Sequence, residues 1–478
     1  MAKPEFDIVV IGGGAGGLVV AAGGAQLGAK VALVEKHKLG GDCLWYGCVP
    51  SKTLLKSARI AHRMRHADRW ALDPVAPHPD LSRVMERVSR VIESIEPNDS
   101  PERFRGLGVD VTFGSGAFTG PDVFEVASRR LTARTFVIAT GSRPAVPHVP
   151  GLDKIPYLTN ETLFNLREPV PHLLVVGAGA IGCEMAQAFR RLGSEVTVID
   201  VAPRILPRED ADLAAVVANA LAAEGVQFRL GASIVSCAGQ ARDVRLMVHR
   251  RDGADAEITG SHLLLAAGRI ANVEGLALDA AGVDVHNGRI VTEAGVRTTN
   301  SRIHVIGDAA GGHQFTHLAE HHAGIVLRHA IFRMSWVKPS PVVPWCTFTD
   351  PELARVGLSE AEATHQGIAH RVYRFPFADL DRARTEDETE GLAKIVTDPK
   401  GKLLGAAIVG AHAGELIAEY GLAVAKGMSA KDMTGVIHAY PTLAQINRRV
   451  ADQQLKEGLT PNAKIWIQRI FGLRGARG

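Results

Sequence analysis

Short apolar runs alternate along the chain with glycine turns and with stretches of helical period, a pattern that predicts repeated strand-helix-strand units. Asp7 to Glu35 reads as strand, glycine turn, helix, strand, and Leu173 to Asp200 repeats that order. Gly12, Gly14 and Gly17 precede Gly28 and the acid Glu35, while Gly177, Gly179 and Gly182 precede Gly193 and the acid Asp200. Between the two units the pattern predicts helices from about Ser51 to His66 and from about Leu81 to Ile95. Short strands broken by Gly114, Gly116 and Gly120 follow, then a strand Thr135 to Ala139 that ends in Thr140-Gly141. The proline-rich stretch Pro144 to Pro156 reads as a linker. The second unit extends to Leu263 and the turn Ala267-Gly268-Arg269, and a strand Ile303 to Ile306 ending at Gly307-Asp308 returns to the first unit. From Pro341 the pattern changes to strand-like alternation with longer helices, which marks a third domain.

Each glycine triplet lies between Val/Ile-rich strands, the context that makes GxGxxG a dinucleotide fingerprint. Its glycines let backbone amides approach a pyrophosphate at a helix N-terminus. Glu35 and Asp200 would each accept hydrogen bonds from an adenosine ribose. Two dinucleotides are therefore implied, and the fold class is α/β with two Rossmann-like domains and a C-terminal α+β domain.

Composition narrows the function classes. A net charge of +3 over 478 residues gives nucleic-acid binding no electrostatic support. Five cysteines suit a reducing compartment, none at zinc-ligand spacing. The apolar stretch Ile8 to Ala22 after Lys3 is interrupted by glycines as a nucleotide loop is, so it reads as fold and not as a signal peptide. No apolar run reaches the roughly 20 residues that cross a bilayer, and a cytoplasmic location is expected.

The segment Gly40-Gly41-Asp42-Cys43-Leu44-Trp45-Tyr46-Gly47-Cys48-Val49-Pro50-Ser51-Lys52 carries the chemistry. Cysteines five apart on a regular helix point away from each other, whereas a disulfide needs Cα atoms within about 4.4–6.8 Å. A redox pair here requires an irregular turn, which Gly47 permits. Pro50 suits the first position of a following helix, continued by Leu54, Leu55, Ala58 and Ala61, so Cys48 falls at its positive end, where a thiolate is favoured.

Gly41-x-Cys43-x4-Cys48-x-Pro50-Ser51-Lys52, Thr140-Gly141, Gly307-Asp308 and the double fingerprint occur in the order found in the pyridine nucleotide-disulfide oxidoreductases, and nearly the whole chain resembles that family. The resemblance implies FAD on the first fingerprint, a nicotinamide coenzyme on the second, and a homodimer formed by the last domain. It divides the chain into an FAD-binding domain (1–150 and 271–340), an NAD(P)-binding domain (151–270), a dimerisation domain (341–455) and a basic amphipathic tail (456–478). By the same resemblance Lys52 and Glu184 form an ion pair beside the flavin, and Asp308 holds the flavin's ribityl chain. Lys36, Gly41, Gly268, Arg269 and His317 join the cofactor contacts. Electrons pass from nicotinamide through flavin to Cys48, and Cys43 is the thiol that meets the acceptor. Asp200 favours NADH over NADPH, although Arg204 and Arg208 follow closely. Ala180 stands where some relatives carry a tyrosine gate.

Relatives that exchange electrons with dithiols carry a histidine before Pro-Thr near the C-terminus and a glutamate five residues later. Here Tyr440 and Gln445 occupy those places, within His438-Ala439-Tyr440-Pro441-Thr442. A tyrosine with a pKa near 10 is a poor base at neutral pH, and His438 faces away on an extended segment and is read as packing. The mercuric reductase branch, which also tends to place a tyrosine there against a thiolate-bound metal ion, resembles the chain better, so Tyr440 is counted with the catalytic residues and a small or soft-metal acceptor is implied, although the C-terminal cysteine pair and the N-terminal metal-binding domain of that branch are missing. Dihydrolipoamide dehydrogenase is the alternative. The tail, with Trp466, Ile470 and Phe471, reads as packing on the dimer or as a peripheral membrane contact that would serve an electron-transfer role. His313, His317, His321 and His322 are read as cofactor-edge packing, and no resident metal is expected.

Overall fold

The structure is a computed structural model that describes residues 3–475 except 252 and 294. Strand β1 (Phe6–Ile11), helix α1 (Ala15–Gln26) and strand β2 (Val31–Glu35) form the first unit. β1 pairs in parallel with β2 on one side and with Arg129–Ile138 on the other, in the registers Ile8 opposite Val31 and Ile8 opposite Thr135. Asp110–Phe113 extends the sheet beyond β2, and Ile303–Val305 extends it beyond Arg129–Ile138, both in parallel. Helices cover both faces of such a sheet, which is why its strands read as unbroken apolar runs. Val9, Val10, Ala32, Leu33, Phe136 and Val137 are fully buried, each large side chain contributing roughly 1.5–3 kcal/mol.

The second unit repeats this arrangement. Gln227–Leu230, Glu195–Asp200, His172–Val176 and His262–Leu265 lie in that order in a parallel sheet, with helix Ala180–Arg191 crossing between its central strands. A three-stranded antiparallel sheet, Ala232–Gln240, Asp243–Arg250 and Asp255–Gly260, is inserted before its last strand. The third domain is a five-stranded antiparallel sheet between Pro344 and Gly410, packed by helices Ala413–Ala425 and Gln445–Glu457 around Tyr420. Lys394, with a side chain only 2% exposed, docks this domain on the second unit by contacting Asp210 at 2.9 Å and Asp212 at 3.0 Å.

The α/β class and the two glycine-turn units are as expected. Several boundaries move. The helix expected from Ser51 begins at Cys48, so Pro50 is its third residue. The strand expected from Thr135 begins at Arg129, because it continues a hairpin with Val123–Val126. Gly116 and Gly120 bound a strand and do not break one. No helix among the described residues is long and apolar enough to cross a membrane. The tail helix Pro461–Phe471 buries no residue, leaving Trp466 62% and Phe471 72% exposed.

Candidate active site

The duplicated fingerprint is duplicated at atomic resolution. A Cβ on Gly12 would lie 2.3 Å from the carbonyl oxygen of Ala139, and one on Gly177 would lie 2.4 Å from that of Ala266. Gly17 and Gly182 press in the same way on the carbonyls of Gly12 and Gly177, at 2.0 and 1.9 Å. Each acid ties its own turn together. Glu35 accepts the amides of Gly13 (2.7 Å) and His37 (2.8 Å), and Asp200 accepts those of Ala178 (2.5 Å) and Ala202 (2.7 Å). The helices that follow, α1 and Ala180–Arg191, have glycine N-caps without a side-chain acceptor. Their first amides are thus left for an anion, and no atom stands within 4 Å of where a Gly179 side chain would be.

Both turns open into one cleft of about 1830 Å³ whose walls come from all three domains. Helix α2 (Gly41–Trp45) ends at Tyr46, and helix α3 (Cys48–Arg65) starts anew after Gly47. This break turns Cys43 and Cys48 toward each other, so that each sulfur shifts the titration of the other. A Cβ on Gly47 would crowd the carbonyl and the carboxylate of Asp42, each at 3.0 Å. Asn160 pins the break by donating to Asp42 Oδ1 (2.9 Å) and to the Tyr46 carbonyl (3.2 Å).

Cys48 is the more acidic thiol of the pair. The neighbouring Cys43 thiol, then contacts with Thr316 and Lys52, outweigh burial and hold its pKa down at about 6, while the same pairing and burial push that of Cys43 up. Although enclosed by protein, Cys48 keeps exposed surface because it lines the cleft. Thr316 Oγ1 lies 3.5 Å from its sulfur, at the first turn of helix Thr316–Ala330. The Thr316 hydroxyl has no sequence signal apart from its place after Gly307-Asp308.

Lys52, one turn along α3, places its Nζ 2.9 Å from Glu184 Oε2 and 4.5 Å from the centre of the Phe348 ring. Glu184 is buried, and its other oxygen accepts the amide of Phe348 at 2.9 Å. Burial opposes the lysine's charge, but Glu184 overcomes it and the pKa is raised.

Asp308 lines the same cleft. Its Oδ2 accepts the Ser142 hydroxyl at 2.5 Å, and Arg269 donates to that hydroxyl at 2.7 Å while reaching Asp42 at 3.2 Å. Burial raises the pKa of Asp308. Thr140 and Gly141 are stapled to Asn272: the Thr140 hydroxyl donates to the Asn272 carbonyl at 2.6 Å and the Asn272 amide to the Gly141 carbonyl at 2.9 Å. Gly14, Gly41, Lys36, Gly268 and His317 also line the cleft, His317 bonded to the Pro344 carbonyl at 2.7 Å. Ser142, Asn160, Thr316 and Trp345 are members that sequence reasoning did not single out.

Tyr440 is not among the residues of this cleft. It stands 67% exposed on the third domain and donates to Asp381 at 3.1 Å, a bond that raises its pKa. The side chain of His438 is nearly buried and bound to Glu419 at 3.0 Å, which is the packing role expected. No group of three or more metal-ligating side chains suited to an ion occurs among the described residues.

The pyridine nucleotide-disulphide oxidoreductase profile matches residues 6–323, and the dimerisation-domain profile of the same family matches residues 343–450. The chain belongs to this family. It is a flavin-dependent pyridine nucleotide-disulfide oxidoreductase. It is 34% identical over 463 residues to the dihydrolipoyl dehydrogenase of Bacillus subtilis, covering 92% of this chain and 96% of that protein. It is also 34% identical over 443 residues to a mercuric reductase of Bacillus cereus, covering 92% of this chain and 70% of that protein. Among solved structures, a Cu(II) complex of the HOCl-induced flavoprotein disulfide reductase RclA from Escherichia coli superposes with a TM-score of 0.83 at 28% identity, covering 95% of this chain and 100% of that one. FAD and a nicotinamide coenzyme are the cofactors of the family; the uncapped helix starts fit the pyrophosphate of each, and Gly179 leaves open space at the second.

Proposed function

We propose that the chain takes electrons from NADH and delivers them through the Cys43/Cys48 pair to a thiophilic metal ion. FAD, when bound, links the two-electron chemistry of the coenzyme to that of the thiols. The protein's own part is electrostatic. Glu184 keeps Lys52 protonated, and a fixed cation there stabilises negative charge on a reduced flavin. Cys48, first residue of α3 and beside Cys43 and Thr316, is kept as a thiolate. Cys43 remains the protonated partner that meets the acceptor. Closing the pair, one thiolate and one thiol, to a disulfide releases two electrons and one proton, and the two electrons are enough to reduce one mercuric ion to the metal or two cupric ions to cuprous.

The single observation that carries the metal reading is the missing proton relay. His438 is not among the residues that line the cleft and its side chain is nearly buried against Glu419, while Tyr440, whose pKa is raised, is no base at neutral pH. A dithiol substrate needs such a base, whereas soft thiolates bind soft metals without one. The mercuric reductase relatives and the copper complex of RclA support this choice. The NADH preference rests on Asp200 and on Arg204, whose guanidinium is engaged by the carbonyls of Leu206 (3.0 Å) and Pro207 (2.8 Å), leaving Arg208 as the one of the two that lines the cleft.

We read the active unit as a homodimer, supported by the matching dimerisation domain and by the exposed apolar Leu422 and Ile437 on that domain. The free buried thiols Cys183 and Cys237 support a cytoplasmic location. The exposed apolar face of the tail helix supports a peripheral contact, and liposome flotation that is unaltered by removing residues after Thr460 would sink that idea.

Anaerobic titration with NADH and with NADPH, followed by turnover with mercuric and cupric ions, lipoamide, oxidised glutathione and a soluble quinone, tests the whole reading. Metal ions are expected to support the fastest NADH oxidation. Fast lipoamide turnover would instead favour the dihydrolipoyl dehydrogenase reading, which the relative in Bacillus subtilis motivates.

A further inference from the structure

Ala180 opens helix Ala180–Arg191 and lines the cleft with a methyl group, so this position supplies no ring to lie over a coenzyme. On another wall stands Trp345, in strand Pro344–Thr347 of the third domain. Its indole is held by four partners. The Nε1–H donates to Glu209 Oε1 at 2.8 Å, the guanidinium of Arg355 lies 4.4 Å from the ring centre, and Phe315 stacks on it at 5.9 Å and 16°. His313 packs at 5.2 Å, tilted by 33°. These partners come from all three domains.

The support behind the indole is an unusual expenditure of charge. Arg355 and Glu209 have side chains only 3% and 6% exposed, and Arg355 Nε faces Glu209 Oε2 at 3.2 Å without hydrogen-bond alignment or another partner for either atom among the described residues. A buried ion pair adds little stability over apolar packing, and its best-attested use is to fix one arrangement. The arrangement fixed here is a clamp. Trp345 at one end of the strand is tied to Glu209, in the loop that follows Asp200, and Phe348 just past the other end donates its amide to Glu184. All four residues of these two ties line the cleft that Gly177, Gly179 and Lys52 also line.

We propose that Trp345 is the positioning residue for the nicotinamide coenzyme, its ring forming the aromatic wall that Ala180 does not provide. The inference rests on the reading of the second fingerprint as a coenzyme site and adds the residue that orients the bound molecule. Glu209 and Arg355 act through the indole. They set its angle.

The test uses the FAD-loaded enzyme with Trp345→Leu and Trp345→Phe, both of which keep apolar bulk so that folding and flavin content are held. The Leu variant is expected to raise the KM for NADH and slow anaerobic flavin reduction roughly three- to tenfold, the worth of a lost ring contact. The Phe variant is expected to return to within about twofold of the original enzyme, since it restores the ring. The thiolate-to-flavin band after dithionite reduction stays unchanged in both, because Cys48 is not touched. A Leu variant with the original KM and reduction rate, or a Phe variant no better than Leu, would overturn the proposal. Failure of both NADH and NADPH to reduce the unsubstituted enzyme would instead overturn the coenzyme reading beneath it.

Discussion

Glu184→Gln separates the charge of this side chain from its shape. In the native site one oxygen meets Lys52 Nζ at 2.9 Å and the other accepts the Phe348 amide at 2.9 Å, with the carboxylate side chain 5% exposed. The glutamine can still accept the amide, but it leaves the lysine without a counter-charge. Breaking a fully buried pair costs about 3–5 kcal/mol. Lys52 keeps 36% of its side-chain surface, on the cleft, so water screens the loss and about 1–2 kcal/mol is the better figure. If that cost falls on the charge-separated state, anaerobic flavin reduction by NADH slows about 5- to 30-fold at neutral pH. The pH dependence has a definite sign. Lys52 carries its charge below its folded pKa and loses it as pH rises through that value. Glu184 holds this pKa up against burial, so the variant loses the cation at a lower pH than the original enzyme and its rate falls earlier on the alkaline side. Stopped-flow absorbance across a pH series measures both effects, with thermal unfolding as the control for damage. Reduction at the original rate at every pH, in a variant of unchanged Tm, would refute the electrostatic role of the pair.

Other outcomes follow from the same geometry. In the two-electron-reduced enzyme the thiolate-to-flavin absorbance should disappear as pH falls through about 6, and Thr316→Val should move that midpoint upward; an unaltered midpoint near the ordinary thiol value would contradict the assignment of Cys48. Cys48→Ser should abolish the band altogether. Lys394→Met removes the buried cation beside Asp210 and leaves Asp212 and Glu360, both partly exposed, paired only with Arg374; it should lower stability to urea by about 1–3 kcal/mol at neutral pH. The folded pKa of Asp210 and Asp212 lies below 3.8, so the native pairing contributes above that value and is lost as pH falls through the folded pKa; the gap between variant and parent should therefore narrow in acid. Ser142→Ala removes the 2.5 Å contact to Asp308 and leaves that buried oxygen under-satisfied, a loss of about 1–3 kcal/mol that should appear as faster FAD release on dilution.

Glycine spacing made the two nucleotide units legible, because a turn that presses on a neighbouring carbonyl admits no side chain and so leaves a fixed mark. The Cys43–Gly47–Cys48 break was legible for the same reason. Contacts between distant segments were not. Thr316 reaches Cys48 over 268 positions, Ser142 reaches Asp308 over 166, and Trp345 reaches Glu209 over 136. None of these side chains has a local period or spacing to betray it, since a hydroxyl or an indole is equally at home in any strand end. The start of α3 was misplaced because Pro50 tolerates the third helical position as well as the first, both lacking an intrahelical acceptor for the missing N–H. Tyr440 was legible as a substitution but not as a location, because one chain alone does not bring it to the cleft.

The acids that close the fingerprints have a consequence for how coenzyme use can change. Asp200 holds the amides of Ala178 and Ala202 with its two oxygens, as Glu35 holds those of Gly13 and His37. Under the NADH reading, ribose recognition and the integrity of the turn fall to the same side chain. A basic residue placed at Asp200 to welcome a 2'-phosphate would set free the loop that cradles the pyrophosphate. Any lineage moving from one coenzyme to the other must first find a second tether for that loop, and the path between the two preferences runs through a compensated pair of substitutions.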